Sequence, residues 1–155
     1  MNKNEYIFAI LRELNISMPI IEQDLSGEHL TSEYYPPEDK VIYVKPDESM
    51  GAYFEIAHEL RHKWQLKNCF NEYFRDYKEM DAISIEEYGE QKAEIDANAF
   101  AVVMALKYLD YFPLFDGYPS AEKKKIYERV RNIASDYGVG ELPWEEIYKI
   151  TGIEN

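Results

Sequence analysis

Helical periodicity is the feature that most constrains how this chain can fold. In residues 5–14 the apolar side chains return every three or four positions, and this spacing predicts an amphipathic helix whose apolar residues are Tyr6, Ile7, Ile10, Leu11 and Leu14. Similar patterns, bounded by capping residues, glycines and prolines, occur in four further segments. Helices are predicted over residues 5–14, from a cap at Asp47 or Ser49 to about Lys67, from about Glu87 to Tyr111 before Pro113, from Ser120 to Gly138, and from Pro143 to Gly152.

One segment breaks the helical pattern. Residues 40–45 are mostly β-branched and aromatic and are followed by Pro46, which predicts a strand. The preceding residues 15–39 hold a Pro-Pro pair and are typical of a loop with a short strand before it, and residues 68–90 predict a short helix and loops. With 155 residues and no internal repeat, the chain is predicted to form one domain over residues 1–155. The predicted fold class is α+β, mostly helical with a small β-sheet.

Composition excludes several classes of function. The formal net charge is −13, and the densest basic run is Lys123-Lys124-Lys125, so direct binding to nucleic acid is not expected. No apolar run reaches the length of a membrane span, and the first residues do not resemble a signal peptide. A single cysteine, Cys69, favours a reducing compartment. We therefore expect a cytoplasmic protein with no membrane partner, whose acidity suits solubility and a basic partner.

The motif that carries chemistry is His58-Glu59-Leu60-Arg61-His62, which uses two of the three histidines in the chain. Side chains four residues apart share one face of a helix, so His58 and His62 can both reach one Zn²⁺ ion. Glu59 lies beside this pair, where a carboxylate can take a proton from a zinc-activated water. The spacing is that of a metal-dependent hydrolase. The alternative is a charged helix that carries the motif by chance.

A catalytic zinc needs a third protein ligand. One class of metalloprotease has a glycine and then a third histidine after the motif, at positions that Gln65 and Asn68 occupy here, which excludes that arrangement. His29 lies in a polar turn, typical of a surface residue, and stays open as a ligand. The best carboxylate is Glu94, followed one turn later by Asn98, which could hydrogen-bond a ligating histidine. The alternative is that Glu94 and Asp96 belong to a solvent-exposed acidic face that continues from Glu86, Glu87 and Glu90.

Two segments together resemble a known family. Residues 54–62, Phe-Glu-Ile-Ala-His-Glu-Leu-Arg-His, and residues 94–101, Glu-Ile-Asp-Ala-Asn-Ala-Phe-Ala, are similar to the gluzincin type of zinc peptidase and most of all to the ImmA/IrrE family. The resemblance implies a zincin-like fold with the sheet beside the motif helix. It also implies Zn²⁺ held by His58, His62 and Glu94, with Glu59 as the general base. The substrate that it implies is a protein or peptide, in known members often a DNA-binding repressor of a phage or mobile element.

The sequence departs from the family pattern at several points. Arg61 stands where the family has glycine, Asp96 stands where it often has glutamate, and no helix-turn-helix segment is evident. Tyr88 and Arg61 are candidates for stabilising an oxyanion, against a packing or surface role for each. The edge of the strand at residues 40–45 is expected to bind an extended peptide. The alternative function is a non-catalytic metal-binding or protein-interaction module.

Overall fold

Capped helices and three short strands make up the part of the chain that the computed structural model describes, which is residues 1–17, 20–22, 32–34, 42–44 and 48–153. The elements are α1 (Lys3–Leu14), β1 (Ile20–Glu22), β2 (Ser32–Tyr34), β3 (Ile42–Val44), α2 (Met50–Asn68), α3 (Phe70–Tyr73), α4 (Ile85–Gly89), α5 (Lys92–Leu109), α6 (Ser120–Ile133), a 3₁₀ turn (Ala134–Tyr137) and α7 (Trp144–Thr151). Contacts divide the chain into two compact units, residues 1–75 and 76–155. That residues 1–155 form one domain stays a prediction.

The first unit is organised around α2. Ser49 caps this helix by accepting a hydrogen bond from the amide of Ala52 at 3.1 Å, which selects one of the two predicted caps. Helix α1 packs on α2, and the rings of Tyr6 and Tyr53 meet at 5.2 Å between centroids. Strands β2 and β3 also contact α2. The motif helix is therefore held from several sides, which limits how far its side chains can move.

The three strands pair in the order β1-β3-β2. Strand β3 runs parallel to β1, with Ile20 opposite Ile42, and antiparallel to β2, with Ser32 opposite Val44. Both edges of β3 are therefore occupied by neighbouring strands. The expectation that an extended peptide adds to the edge of this strand is wrong, because its backbone groups already pair within the sheet. The predicted ends of this strand, residues 40, 41 and 45, lie outside the described residues.

The predicted fold class, α+β, is also wrong. Of residues 1–17 and 48–153, 68% are helical and none lies in a strand. Strand pairing is confined to three segments of three residues each. Residues 1–17 and 48–153 are thus built from helices and the loops that connect them. The β-propensity of residues 40–45 predicts a structural layer, but the strand described in this segment is residues 42–44. The described helices pack mainly against other helices.

The second unit is built around α5, which packs against α6. Its residues from Phe100 to Ala105 are almost completely buried, so this stretch of the helix is apolar on all sides. It ends at Leu109 rather than at Tyr111, and its C-cap Asp110 is in the left-handed conformation with φ of 51°. The α-helical part of α6 starts at Ser120 itself, and Gly138 follows the 3₁₀ turn. No helix in the described part of the chain is long and apolar enough to cross a membrane.

The single helix predicted from Glu87 to Tyr111 is interrupted. A capping box between Ser84 and Glu87 starts α4, which ends at Gly89, and α5 begins only at Lys92. A Cβ atom at Gly89 would lie 2.5 Å from a carboxylate oxygen of Glu122. Glycine therefore lets the end of α4 approach α6 closely. Apolar periodicity alone does not locate this interruption.

An ion pair ties α5 to α6. Both the Nε and the Nη2 of Arg129 lie 2.7 Å from Oδ1 of Asp96. The Asp96 side chain is 2% exposed and that of Arg129 is 33% exposed. A buried carboxylate is costly unless a cation and hydrogen bonds compensate it, and Arg129 supplies both. Lys125, one turn earlier on α6, makes a more exposed pair with Glu90 at 2.6 Å.

We predict that Arg129→Met lowers the free energy of unfolding by about 2 kcal/mol, because the buried Asp96 carboxylate loses the positive charge of the Arg129 guanidinium. Lys125→Met is the matched control on the same helix and should cost about 0.5 kcal/mol or less, since exposed ion pairs contribute little. Urea unfolding at pH 7 measures both. Equal losses in the two variants would contradict the prediction.

Candidate metal centre

Helix α2 places the motif histidines on one face. His62 is buried and His58 is half-buried, and their Nε2 atoms lie 3.0 Å apart. Two nitrogen ligands of a tetrahedral zinc, each at about 2.0–2.1 Å from the metal, would lie about 3.3 Å from each other. The histidine pair is therefore within a few tenths of an ångström of that separation. Glu59, half-buried, projects about 60° from His62 around the helix axis.

Gln65 orients one of these histidines. Its Oε1 atom lies 2.8 Å from Nδ1 of His62, and the Gln65 side chain is fully buried. An amide oxygen only accepts hydrogen bonds, so Nδ1 of His62 carries the proton and Nε2 keeps a lone pair. The ring of Phe74 also meets that of His62, edge to face, at 6.0 Å between centroids. His62 is thereby fixed both in tautomer and in ring orientation, as metal-ligating histidines usually are.

Glu94 lies in the first turn of α5 and is 5% exposed. The hydroxyl oxygen of Tyr77 lies 2.7 Å from Oε1 of Glu94 and 2.6 Å from the hydroxyl of Tyr88. An ionised carboxylate can only accept a hydrogen bond, and the Tyr77 hydroxyl has a single hydrogen. Tyr77 therefore donates that hydrogen bond to Glu94, and Tyr88 donates to the Tyr77 oxygen. The alternative that Glu94 belongs to a solvent-exposed acidic face is therefore wrong, and the same holds for Asp96, which is 1% exposed.

One set of side chains in the described part of the chain has the composition and spacing of a metal site. It consists of His58, His62 and Glu94, and its ligand atoms all lie within 4.8 Å of one another. Two imidazole nitrogens and one carboxylate oxygen form a donor set used by catalytic zinc, with a fourth position left for water. The residues therefore fit Zn²⁺ by their chemistry and by the orientation of His62.

Negative charge surrounds the start of α5. The pKa of Glu122 is raised, first by burial and then by the charges of Glu90, Glu94 and Glu86. The pKa of Tyr77 is also raised, by burial first and by the charge of Glu94 second. The Tyr77 hydroxyl therefore keeps its proton at neutral pH and remains a donor to Glu94. A carboxylate in such surroundings favours a nearby cation.

The remaining candidates from the sequence fall into three groups. Asn98 is buried one turn after Glu94 on α5, and its predicted hydrogen bond to a ligating histidine stays a prediction. Arg61 stacks its guanidinium on the ring of Trp64, at 3.8 Å from the centroid, and Tyr88 bonds to Tyr77. Arg61 and Tyr88 therefore both make contacts within the protein, as the alternative packing role predicts. His29 lies outside the described residues.

Sequence reasoning assigned no role to Gln65 or to Tyr77. The helical position of Gln65 is a signal in the sequence, because Gln65 lies three residues after His62 and about 20° from His58 around the helix. Helical spacing alone could therefore have nominated it. Tyr77 lies 17 positions before Glu94, in a loop, and is one of 14 tyrosines. Only the tertiary structure identifies it.

Comparison with known proteins found no relative: no protein-family model, no curated protein and no solved structure matches this chain.

We predict that Gln65→Leu weakens Zn²⁺ binding by about 10-fold, because loss of the acceptor frees the tautomer and the ring of His62. Gln65→Glu keeps an acceptor at the same position and should bind Zn²⁺ more tightly than Gln65→Leu. Competition with a chromophoric chelator measures both affinities. Equal affinity of the Leu variant and the wild type would show that Gln65 only fills space.

Proposed function

We propose that this chain is a zinc-dependent metallopeptidase of the cytoplasm, related in its site to the ImmA/IrrE family. The observation that carries the proposal is the set of ligand atoms of His58, His62 and Glu94 within 4.8 Å of one another. Support comes from the buried Gln65, which leaves a lone pair on Nε2 of His62. Further support is that a glutamate, Glu59, follows His58 directly, where a general base is needed.

The division of labour follows from the chemistry of the side chains. Bound Zn²⁺ would lower the pKa of a water molecule to about 7 and polarise the scissile carbonyl. Glu59 would accept the proton of the attacking water on a carboxylate oxygen and deliver it to the leaving nitrogen of the peptide. Gln65 would hold His62 in one orientation, and Tyr77 would donate to Glu94 throughout.

The substrate that we propose is a protein or peptide with a basic surface. The formal net charge of −13 favours encounter with positively charged partners and disfavours nucleic acid itself. A DNA-binding repressor, the substrate class implied by the family resemblance, has this kind of charge. Electrostatic attraction would raise the association rate and would weaken as salt increases.

We predict that the purified protein binds about one Zn²⁺ per chain and that His58→Ala, His62→Ala or Glu94→Ala lowers the affinity by at least about 100-fold. Each substitution removes one of three protein ligands. Metal analysis after dialysis against a weak chelator measures the bound zinc.

Two matched controls accompany these variants. His29→Ala removes the one remaining histidine, and Glu90→Ala removes a carboxylate that lies four positions before Glu94 in the sequence and pairs with Lys125. Both should retain zinc at the wild-type level. Loss of zinc in the controls, or its retention in the Glu94 variant, would contradict the ligand set.

We predict that Glu59→Gln binds Zn²⁺ as the wild type does but cleaves peptides at least about 100-fold more slowly, because the amide cannot accept the proton of the attacking water. Glu55→Gln, one turn earlier on α2 and also half-buried, is the control and should keep full activity. A library of quenched fluorescent peptides and a purified repressor serve as substrates. A wild-type protein that binds zinc but cleaves none of them would instead favour a non-catalytic metal-binding module.

A further inference from the structure

Glu94 receives its hydrogen bond from a short chain of hydroxyl groups. Tyr88 donates to Tyr77 and Tyr77 donates to Oε1 of Glu94, over 2.6 and 2.7 Å. The two tyrosine rings meet at 69°, with 6.0 Å between their centroids, so their planes are fixed relative to each other. A donor that itself accepts a hydrogen bond is polarised and bonds more strongly to its own acceptor. The chain therefore restrains one oxygen of the Glu94 carboxylate.

The segment that carries these tyrosines is itself clamped to the start of α5. The amide of Lys78 donates to Oε1 of Gln91 at 2.7 Å, and Nε2 of Gln91 donates to the carbonyl of Lys78 at 2.9 Å. Gln91 is the residue that precedes α5 and lies three positions before Glu94. Tyr88 sits on α4, which the capping box of Ser84 starts. Tyr77 and Glu94 thus lie on two segments that Lys78 and Gln91 hold together by hydrogen bonds.

Glutamate is a variable ligand because its side chain has several rotatable bonds and can bind a metal through one oxygen or through two. The number of oxygens bound decides whether a four-coordinate site keeps an open position for water. A donor bonded to one oxygen weakens that oxygen as a ligand and favours the other oxygen as the ligand atom. Such outer hydrogen bonds typically change metal affinity by about 10- to 100-fold.

We propose that Tyr77 is a positioning residue that holds Oε1 of Glu94 and leaves Oε2 as the single ligand atom, with Tyr88 orienting Tyr77. This inference rests on the proposed metal site. It assigns a role to the exposed segment before α4 that a search for ligands alone does not reveal. Tyr77 itself touches neither substrate nor metal in this role and acts through Glu94.

The test uses three single substitutions that each remove only a hydroxyl. Tyr77→Phe should weaken Zn²⁺ binding by about 10-fold or more, and Tyr88→Phe by a smaller factor, because it only weakens the bond that Tyr77 makes. Tyr127→Phe is the matched control, since its buried hydroxyl donates to the carbonyl of Pro113 on the same unit. It should change thermal stability without changing zinc affinity.

Absorption of the Co²⁺-loaded proteins supplies a readout that a merely structural role would not move. Four-coordinate Co²⁺ absorbs visible light much more strongly than five- or six-coordinate Co²⁺. Tyr77→Phe frees the second oxygen of Glu94, so the visible bands should weaken and shift, whereas the spectrum of Tyr127→Phe should match the wild type. Thermal midpoints of the metal-free variants check that all three proteins are folded.

The outcomes separate the two proposals. A wild type that binds zinc and a Tyr77→Phe variant with unchanged affinity and an unchanged Co²⁺ spectrum would overturn the positioning role and leave the proposed function standing. A folded wild type that binds neither Zn²⁺ nor Co²⁺ would overturn both. A weaker, spectrally altered site in Tyr77→Phe alone is the expected result.

Discussion

Burial of polar groups on α5 is the constraint on which the second unit depends. Glu94, Asp96 and Asn98 are all at least 94% buried on a helix whose other positions are largely alanine, valine and phenylalanine. Removing an ionised carboxylate from water costs several kcal/mol unless charge and hydrogen bonds compensate it. Each of these residues therefore demands a specific environment. Much of the surrounding structure, including the clamped segment before α4 and the packing of α6, supplies it.

The first unit meets a related requirement with different means. Two imidazoles with Nε2 atoms 3.0 Å apart must have compatible protonation states, and a buried amide at Gln65 determines that of His62. His58, His62 and Gln65 lie on consecutive turns of α2. Their relative geometry therefore follows from helical spacing alone, and α1, β2 and β3 need only hold that helix in place.

This difference explains how much could be predicted from the sequence. The motif helix, its cap at Ser49 and the shared face of His58 and His62 follow from local rules of spacing and capping. The hydrogen bond from Tyr77 to Glu94 could not be predicted, since it depends on residues that the fold brings together. A strand is predicted over residues 40–45 and is found at residues 42–44, but its central place in the sheet depends on its pairing with β1 and β2.

The two carboxylates of α5 show why similar burial supports different roles. Asp96 is bonded by the guanidinium of Arg129, a permanent cation, which neutralises its charge and makes it a structural link to α6. The bond that Tyr77 makes to Glu94 comes from a neutral hydroxyl, which stabilises the charge without cancelling it. A ligand for a divalent cation needs this second kind of partner, because a guanidinium at the same place would compete with the metal. The sequence separates the two by only one residue, and the partner decides which of them is suited to bind zinc.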